Sequence, residues 1–284
     1  MKIGIIGGSG LYEMDGITDL REYAATTPFG HPSEVLMAGK LHGVDVIFLS
    51  RHGRGHRLNP SEINYRANIF ALKDAGVDAI ISVSACGSLK EQIAPTDFVI
   101  PDQFIDRTYK RGNTFFEDGI VAHVPMAEPF APELRKVLLD ACRELKVSVH
   151  KRGTYVNMEG PQFSTLAESR LYRQWEADII GMTVATEAKL AREAEISYAA
   201  LAAVTDYDCW HPSHETVTVE MILEYLGKNV ENAKKILKAA VAKIAGIKHF
   251  SAADALRHAI VTDPKKVPPE KKGELDVLIG KYLK

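Results

Sequence analysis

The chain has 284 residues, of which 46% are hydrophobic and 25% charged, and its formal net charge is −2 at pH 7. This length suits one large α/β domain or two small ones, and the composition is ordinary for a soluble globular protein. The near-zero charge gives no electrostatic case for binding a nucleic-acid polymer or an acidic membrane. No apolar run is long enough to span a bilayer.

The first residues and the cysteines favour a cytoplasmic protein. The chain enters a strand-like run at once, without the pattern of a signal peptide. Cys86, Cys142 and Cys209 lie far apart and lack metal-ligand spacing. Such cysteines are typical of small buried residues in a reducing compartment. We therefore expect a cytoplasmic location and no bound metal.

Short apolar runs recur along the chain and predict strands. In order, they are 3–6, 44–49, 79–83, 98–100, 155–158, 179–182 and 198–205. Segments with helical period occupy 63–75, 134–145, 166–175, 187–194 and 219–244. Alternating strands and helices predict an α/β fold, with a mixed twisted central sheet flanked by helices in a single domain.

A change of character near Gly246 suggests a boundary. The following sequence includes TDPKKVPPEKKGELD, which is polar and contains prolines. We assign residues 1–246 to the main domain and 247–284 to an appended helical tail that is not an independent domain. The lysines of the tail indicate a solvated surface.

The first candidate site is the glycine turn in GIIGGSGL. Gly8, Ser9 and Gly10 allow backbone N–H groups to approach a ligand closely. No clear helix start follows, so the dinucleotide fingerprint is incomplete, and no lysine completes a Walker loop. The turn therefore holds either nothing or an oxyanion.

Two further stretches carry groups that bind anions. In LSRHGRGHRLNP, Arg51 and His52 follow a predicted strand, and a guanidinium matches the geometry of phosphate oxygens. In SVSACGSL, Ser84 precedes a predicted turn of small residues at 85–88. A solvated loop and an ordinary turn serine are the alternatives.

The stretch NMEGPQFSTLAES ends a predicted strand and starts a helix. Thr165 and Glu168 have the spacing of a capping box. Phe163 is either a core residue or a wall for a flat ring. Met182 and Thr183 end a later strand in DIIGMT.

In VTDYDCW, two acids stand one residue apart. Strand period places Asp206 and Asp208 on one face, with Tyr207 opposite. Two neighbouring carboxylates resist joint ionisation, so one of them can hold a proton near neutral pH. A pair of exposed loop acids is the alternative.

Taken in order, these motifs resemble the trimeric purine nucleoside phosphorylases, in their 5′-methylthioadenosine branch. The matching segments lie within residues 2–244 and include GIIGGSGL, RHGRGHRLNPSEINYRANI, SACGSL, PDQFIDRT, HVPMAEPF, EGPQFST, AESRLYR, GMT and VTDYDCW. The resemblance implies phosphorolysis of methylthioadenosine to adenine and 5-methylthioribose 1-phosphate. Inorganic phosphate would be a co-substrate, with no cofactor, in purine and methionine salvage.

The resemblance also implies residue roles. The phosphate site would consist of Ser9, Arg51, His52, Ser84, Ala85 and Thr183. Asp206 would protonate purine N7, and Asp208 would accept a hydrogen bond from the 6-amino group.

For the rest of the nucleoside, the resemblance implies that Met182 lies against the ribose and Phe163 near the base. His56 would lie near the 5′ end, and the methylthio pocket would be lined by Val219 and Ile222. In the implied homotrimer, His123 would reach the site of a neighbouring subunit. Four residues depart from the family pattern, namely Gln162, Leu166, Gly181 and Thr186.

Other functions stay open at this point. A phosphorylase of 6-oxopurine nucleosides, including methylthioinosine, would keep the phosphate site but conflicts with Asp208. A hydrolytic nucleosidase would have no need of Arg51. A nucleoside-sensing module that has lost its chemistry is the alternative outside enzymes.

Overall fold

The computed structural model describes residues 1–8, 11, 13–211 and 219–283, with the backbone alone for 219–224 and 226. Within this part of the chain, eleven strands form one mixed sheet. The strands are β1 (Lys2–Gly7), β2 (Ile17–Tyr23), β3 (Leu36–Leu41), β4 (Val44–Ser50), β5 (Ala79–Ser88), β6 (Phe98–Val99), β7 (Gln103–Asp106), β8 (Val149–His150), β9 (Thr154–Asn157), β10 (Ile179–Gly181) and β11 (Ser197–Asp206). The helices are α1 (Tyr65–Asp74), α2 (Pro132–Glu144), α3 (Leu166–Gln174), α4 (Val184–Glu193), α5 (Val219–Ile244), α6 (Pro269–Glu274) and α7 (Asp276–Ile279).

The sheet branches at β5. Along one edge, β5 pairs in parallel with β11 from Ala79 to Gly87. Along the other edge it pairs first with β1, as far as Ser82, and then with antiparallel β10, from Gly87 onward. Residues 83–86 therefore lie where β1 and β10 separate, and the carboxyl ends of both strands point there. We call this opening the strand fork.

The neighbouring strand β4 ends beside the strand fork. It runs parallel to β1, and its last residue, Ser50, pairs with Gly7. The next backbone N–H, that of Arg51, donates to the Gly7 carbonyl at 3.0 Å. Ligands of open α/β sheets bind outside the carboxyl ends of strands, so the sheet places this arginine where a ligand is expected.

Two apolar layers cover the sheet. Helices α1 and α4 pack together on one side, and α2 and α5 pack together on the other. Successive side chains of a strand point to opposite faces of the sheet, so each strand contributes to both layers. Ile5 packs with the second layer and Ile6 with the first. None of the described helices combines the length and the apolar character needed to cross a membrane.

The tail packs onto the layer that contains α1. Leu256, Leu275 and Leu278 are almost fully buried there. The buried carboxylate of Glu195 accepts hydrogen bonds from the Leu256 N–H at 3.0 Å and from the Tyr282 hydroxyl at 2.5 Å. The boundary at residue 246 stays a prediction.

One local prediction was wrong. The small-residue stretch 85–88, predicted to be a turn, continues β5 to its end. The reason is tertiary, because β11 pairs with this stretch, with Ala203 opposite Ala85 and Val204 opposite Cys86. The capping box of Thr165 and Glu168 is confirmed at the start of α3.

Candidate active site

Arg51 is the buried cation of the strand fork, with only 3% of the residue exposed. Its guanidinium forms a two-pronged ion pair with Glu187 of α4. It also donates to the Ser82 hydroxyl at 2.5 Å and to the Val83 carbonyl at 3.1 Å. The charge of Glu187 overcomes the effect of burial and raises the pKa of Arg51, which is therefore permanently charged.

His52 lies next to Arg51 as a neutral ring. Burial and the positive charge of Arg51 lower the pKa of His52 to about 4. Its Nδ1 lies 2.9 Å from the Leu58 carbonyl, which can only accept, so Nδ1 carries the proton and Nε2 is left as an acceptor. The ring stacks on that of exposed His56 at a centroid distance of 4.1 Å.

Ser84 and Ala85 occupy the strand fork itself. The Ser84 hydroxyl lies 3.1 Å from the Ala85 carbonyl and 3.3 Å from the hydroxyl of Tyr155 on β9. Tyr155 is completely buried and fills the space that any side chain at position 181 would occupy. Gly181, one of the departures from the family pattern, is therefore matched to the bulk of Tyr155.

Thr183 closes the fork from the other side, as the residue that precedes α4. It is 4% exposed, and its Oγ1 has no hydrogen-bond partner among the described residues. A buried hydroxyl without a partner costs free energy unless a ligand or water satisfies it. The start of a helix also favours negative charge, so the position of Thr183 suits an anion.

Asp206 ends β11 beside Gly87. Its carboxylate accepts hydrogen bonds from the Thr205 hydroxyl at 2.7 Å and from the Asp208 N–H at 2.8 Å. Burial is the main cause that raises the pKa of Asp206, and the charge of Asp208 adds to it. This carboxyl group is thus biased toward the protonated form that a general acid needs.

Asp208 is turned away from regular strand geometry. Its φ of 50° lies in the left-handed region, so the strand period used to align the two acids ends at Asp206. Burial raises the pKa of Asp208, and the nearby hydroxyls of Ser169 and Ser164 oppose this shift. The two acids are nevertheless adjacent, because the Asp208 N–H donates to the Asp206 carboxylate.

A second buried ion pair holds the backbone at Met182 against the long loop of residues 107–131, which connects β7 to α2. Arg111 pairs with Glu159 at 3.2 Å, and both side chains are nearly inaccessible. The Arg111 guanidinium also donates to the Met182 carbonyl and to the Tyr65 hydroxyl at 3.1 Å. This network fixes the backbone that leads from Met182 into Thr183.

The remaining predicted residues are exposed, lie outside the described residues, or have only their backbone described. Phe163 is 50% exposed, so it is not a core residue, and His123 is exposed on the long loop. Ser9 lies outside the described residues. Val219 and Ile222 belong to the first turns of α5, where the structure gives only the backbone.

Sequence reasoning missed three buried polar residues that hold the site: Glu187, Tyr155 and Arg111. Each residue stands in a sequence pattern that more often indicates an ordinary structural role than a role in a site. Glu187 resembles a surface acid of an amphipathic helix, and Tyr155 a core residue of a strand. The one available signal was the position of Glu187, four residues after Thr183, in the first turn of α4.

The strand fork thus brings together a buried arginine, hydroxyl groups and the start of a helix, and Asp206 pairs opposite Gly87 beside it. The sequence profile of the phosphorylase superfamily matches residues 2–242, and the chain belongs to this superfamily. The resemblance inferred from the motifs and the predicted α/β fold with a mixed sheet are both confirmed.

Full-length relatives of the chain carry one specific name. The chain is 56% identical to the S-methyl-5′-thioadenosine phosphorylase of Thermosynechococcus vestitus, over 99% of both chains. It is 54% identical to that of Geobacter sulfurreducens, again over 99% of both.

Solved structures agree with the sequence relatives. A methylthioadenosine phosphorylase from an antarctic soil metagenomic library superposes with a TM-score of 0.94 at 52% identity, covering 97% of this chain and 98% of the other. The Schistosoma mansoni enzyme, solved with tubercidin, gives 0.82 at 40% identity, covering 90% of this chain and 96% of that one.

Proposed function

We propose that this chain catalyses the phosphorolysis of 5′-methylthioadenosine. Inorganic phosphate attacks C1′ of the sugar, the C1′–N9 bond breaks, and adenine leaves together with 5-methylthioribose 1-phosphate. The observation that carries the proposal is the buried hydroxyl of Thr183 at the start of α4, which has no hydrogen-bond partner within the described part of the chain. The names and full-length similarity of the relatives support the choice of nucleoside.

Phosphate binds in the strand fork. Arg51 supplies a fixed positive charge, Thr183 and Ser84 supply hydroxyls, and the neutral Nε2 of His52 accepts a hydrogen bond from hydrogen phosphate. Ser9 and the Ala85 backbone complete the site. Held below the sugar, the anion stabilises the positive charge that develops on the ring and then captures C1′.

The leaving purine develops negative charge, which must be neutralised. The electron pair of the C1′–N9 bond passes to the purine, and Asp206 donates its proton to N7. Hydrogen phosphate keeps its own proton when it attacks, and the loss of that proton from the ester restores the acid. Protons and charge therefore balance with phosphate as the sole co-substrate, and no cofactor takes part.

Residues around the proposed nucleoside pocket select the substrate. Asp208 accepts a hydrogen bond from the 6-amino group, and Met182 lies against the ribose. Phe163, half exposed at the rim, stacks near the base, and His56 lies near the 5′ end. The methylthio group is enclosed by Val219 and Ile222.

The site is completed in a homotrimer, in which His123 enters the pocket of a neighbouring subunit. The exposure of His123 supports this arrangement. So does a group of exposed apolar side chains on and around α3, comprising Phe163, Leu166, Leu171 and Trp175. The three unpaired cysteines fit a cytoplasmic enzyme of purine and methionine salvage.

Product analysis tests the reaction. Incubation of the protein with methylthioadenosine and inorganic phosphate is followed by ³¹P NMR, and we expect a sugar-phosphate resonance to grow as the phosphate signal falls. Free methylthioribose without a sugar phosphate would contradict phosphorolysis.

The phosphate site has its own test in Thr183→Val, which keeps the shape of the side chain. Loss of a hydrogen bond to a charged group raises the KM for phosphate on the order of tenfold or more. Thr186→Val is the matched control. Thr186 lies in the first turn of α4 and is also a buried threonine whose hydroxyl has no hydrogen-bond partner among the described residues. Equal effects of the two variants would contradict the assignment.

A further inference from the structure

The donors of Arg51 are almost all used inside the protein. A guanidinium has five N–H groups. Nε and one Nη2 hydrogen go to Glu187, the other Nη2 hydrogen goes to Ser82, and one Nη1 hydrogen goes to the Val83 carbonyl. The remaining Nη1 hydrogen has no partner among the described residues and is available to a ligand. Arg51 therefore cannot grip phosphate with the usual two-pronged fork.

Glu187 is equally committed. Besides Arg51, its carboxylate accepts from the Ser82 hydroxyl at 2.8 Å and from the Tyr198 hydroxyl at 2.7 Å. All four residues are at most 3% exposed. A carboxylate has about four acceptor positions, so this one is saturated without any contribution from substrate. Its task lies in the network and not in ligand contact.

We propose that Glu187 is a positioning residue that locks Arg51, so that one Nη1–H is presented to the phosphate of the proposed reaction. The inference rests on the proposed function of the strand fork. An arginine side chain has many rotamers, and holding it in place beforehand removes the entropy cost of ordering it when the anion binds. The carboxylate also offsets part of the arginine charge, so the direction of the Nη1–H matters alongside that charge.

Replacement of Glu187 should weaken the binding of phosphate and not that of the nucleoside. Glu187 lies on the phosphate side of the site, four residues after Thr183, and makes no contact with Asp206 or Asp208 among the described hydrogen bonds. A lost lock therefore weakens phosphate binding without changing recognition of the base. A merely structural glutamate would affect both substrates, or stability alone.

The test compares Glu187→Gln with a matched variant, Glu193→Gln. Both residues are buried glutamates of α4. Glu193 accepts hydrogen bonds from the Thr114 hydroxyl and the Phe115 N–H, and neither of these groups bonds to Arg51. An amide at position 187 turns N–H groups toward donors of Arg51. We expect a phosphate KM at least tenfold higher for Glu187→Gln, with the methylthioadenosine KM within twofold, and a phosphate KM within twofold of normal for Glu193→Gln.

Two outcomes overturn the proposal. One is an unchanged phosphate KM in folded Glu187→Gln, and the other is an equal rise in Glu193→Gln. If Glu187→Gln does not fold, Tyr198→Phe decides, because it removes one bond to Glu187 and leaves no buried charge unpaired. A phosphate KM raised at least twofold supports the lock, and an unchanged value overturns it.

Arg51→Ala separates this inference from the proposed function. If Arg51→Ala leaves the phosphate KM unchanged, the phosphate site itself is wrongly placed. If Arg51→Ala raises that KM and Glu187→Gln does not, the site stands and the positioning role of Glu187 fails.

Discussion

The carboxylate of Asp206 occupies space that exists only because residue 87 is glycine. A Cβ at position 87 would lie 2.7 Å from Asp206 Oδ1 and 3.3 Å from the Asp208 N–H. The same N–H donates to Asp206, so a side chain at position 87 would disturb both acids together. Strand β5 thus supports the proposed phosphate site with residues 83–86 and the proposed acid site with Gly87.

Gly87→Ala should therefore impair chemistry more than folding. Displacement of a reacting group by about 1 Å costs on the order of 10²-fold in rate, and we expect a loss of that order in kcat. Gly273→Ala is the control, because a Cβ at that position meets nothing within 4 Å. A normal kcat for Gly87→Ala would show that the position of Asp206 is not critical.

Asp206→Asn removes the proposed acid while keeping the size of the side chain. General acid catalysis contributes roughly 10²–10⁴-fold, and we expect kcat to fall within that range. The KM for phosphate should change little, since Asp206 lies on the base side of the site. Steady-state kinetics with both substrates varied decide the matter, and near-normal turnover would refute the acid role.

Asp208→Asn should relax the choice of base. An amide can donate to a 6-oxo group, whereas an ionised carboxylate faces it with a lone pair. We expect the preference for methylthioadenosine over methylthioinosine, as a ratio of kcat/KM values, to fall at least about 10²-fold. An unchanged ratio would remove Asp208 from base recognition.

The two acids also predict a dependence of stability on pH. Burial raises the pKa of both Asp206 and Asp208 in the folded protein. The folded state therefore holds their protons to higher pH than the unfolded chain does. The stability contributed by the neutral carboxyl groups is fully present below about pH 4 and is lost as the pH rises through the folded pKa.

An asparagine at either position is neutral at every pH. Relative to the unmodified protein, Asp206→Asn and Asp208→Asn should gain about 2 °C or more in Tm between pH 4 and pH 7. Thermal scans at the two pH values measure this gain. A difference in Tm that does not grow with pH would mean that the carboxyl groups carry no cost of burial.

Much of this arrangement could be predicted from local sequence. The strands predicted over 3–6 and 44–49 are present and end one residue later, at Gly7 and Ser50. The helix start after Thr165 and the acid at Asp206 also follow from apolar runs and end signals. These features depend on residues close together in the chain, which is why a periodic pattern reports them.

The rest depends on contacts between distant segments. Glu187 is 136 residues from Arg51 in sequence, and no pattern within α4 distinguishes a buried partner from a surface acid. The fork arises because β5 exchanges β1 for β10 partway along its length, which requires knowledge of three strands. Asp208 left the predicted strand face because its backbone turns at a positive φ.

The most direct test of the account measures adenine release from methylthioadenosine with and without inorganic phosphate, with methylthioinosine run in parallel. We expect adenine release that depends on phosphate, with little hypoxanthine from the inosine analogue. Adenine release without phosphate would make the protein a nucleosidase and contradict the role of the strand fork. Preference for methylthioinosine would keep the phosphate site and contradict the role of Asp208.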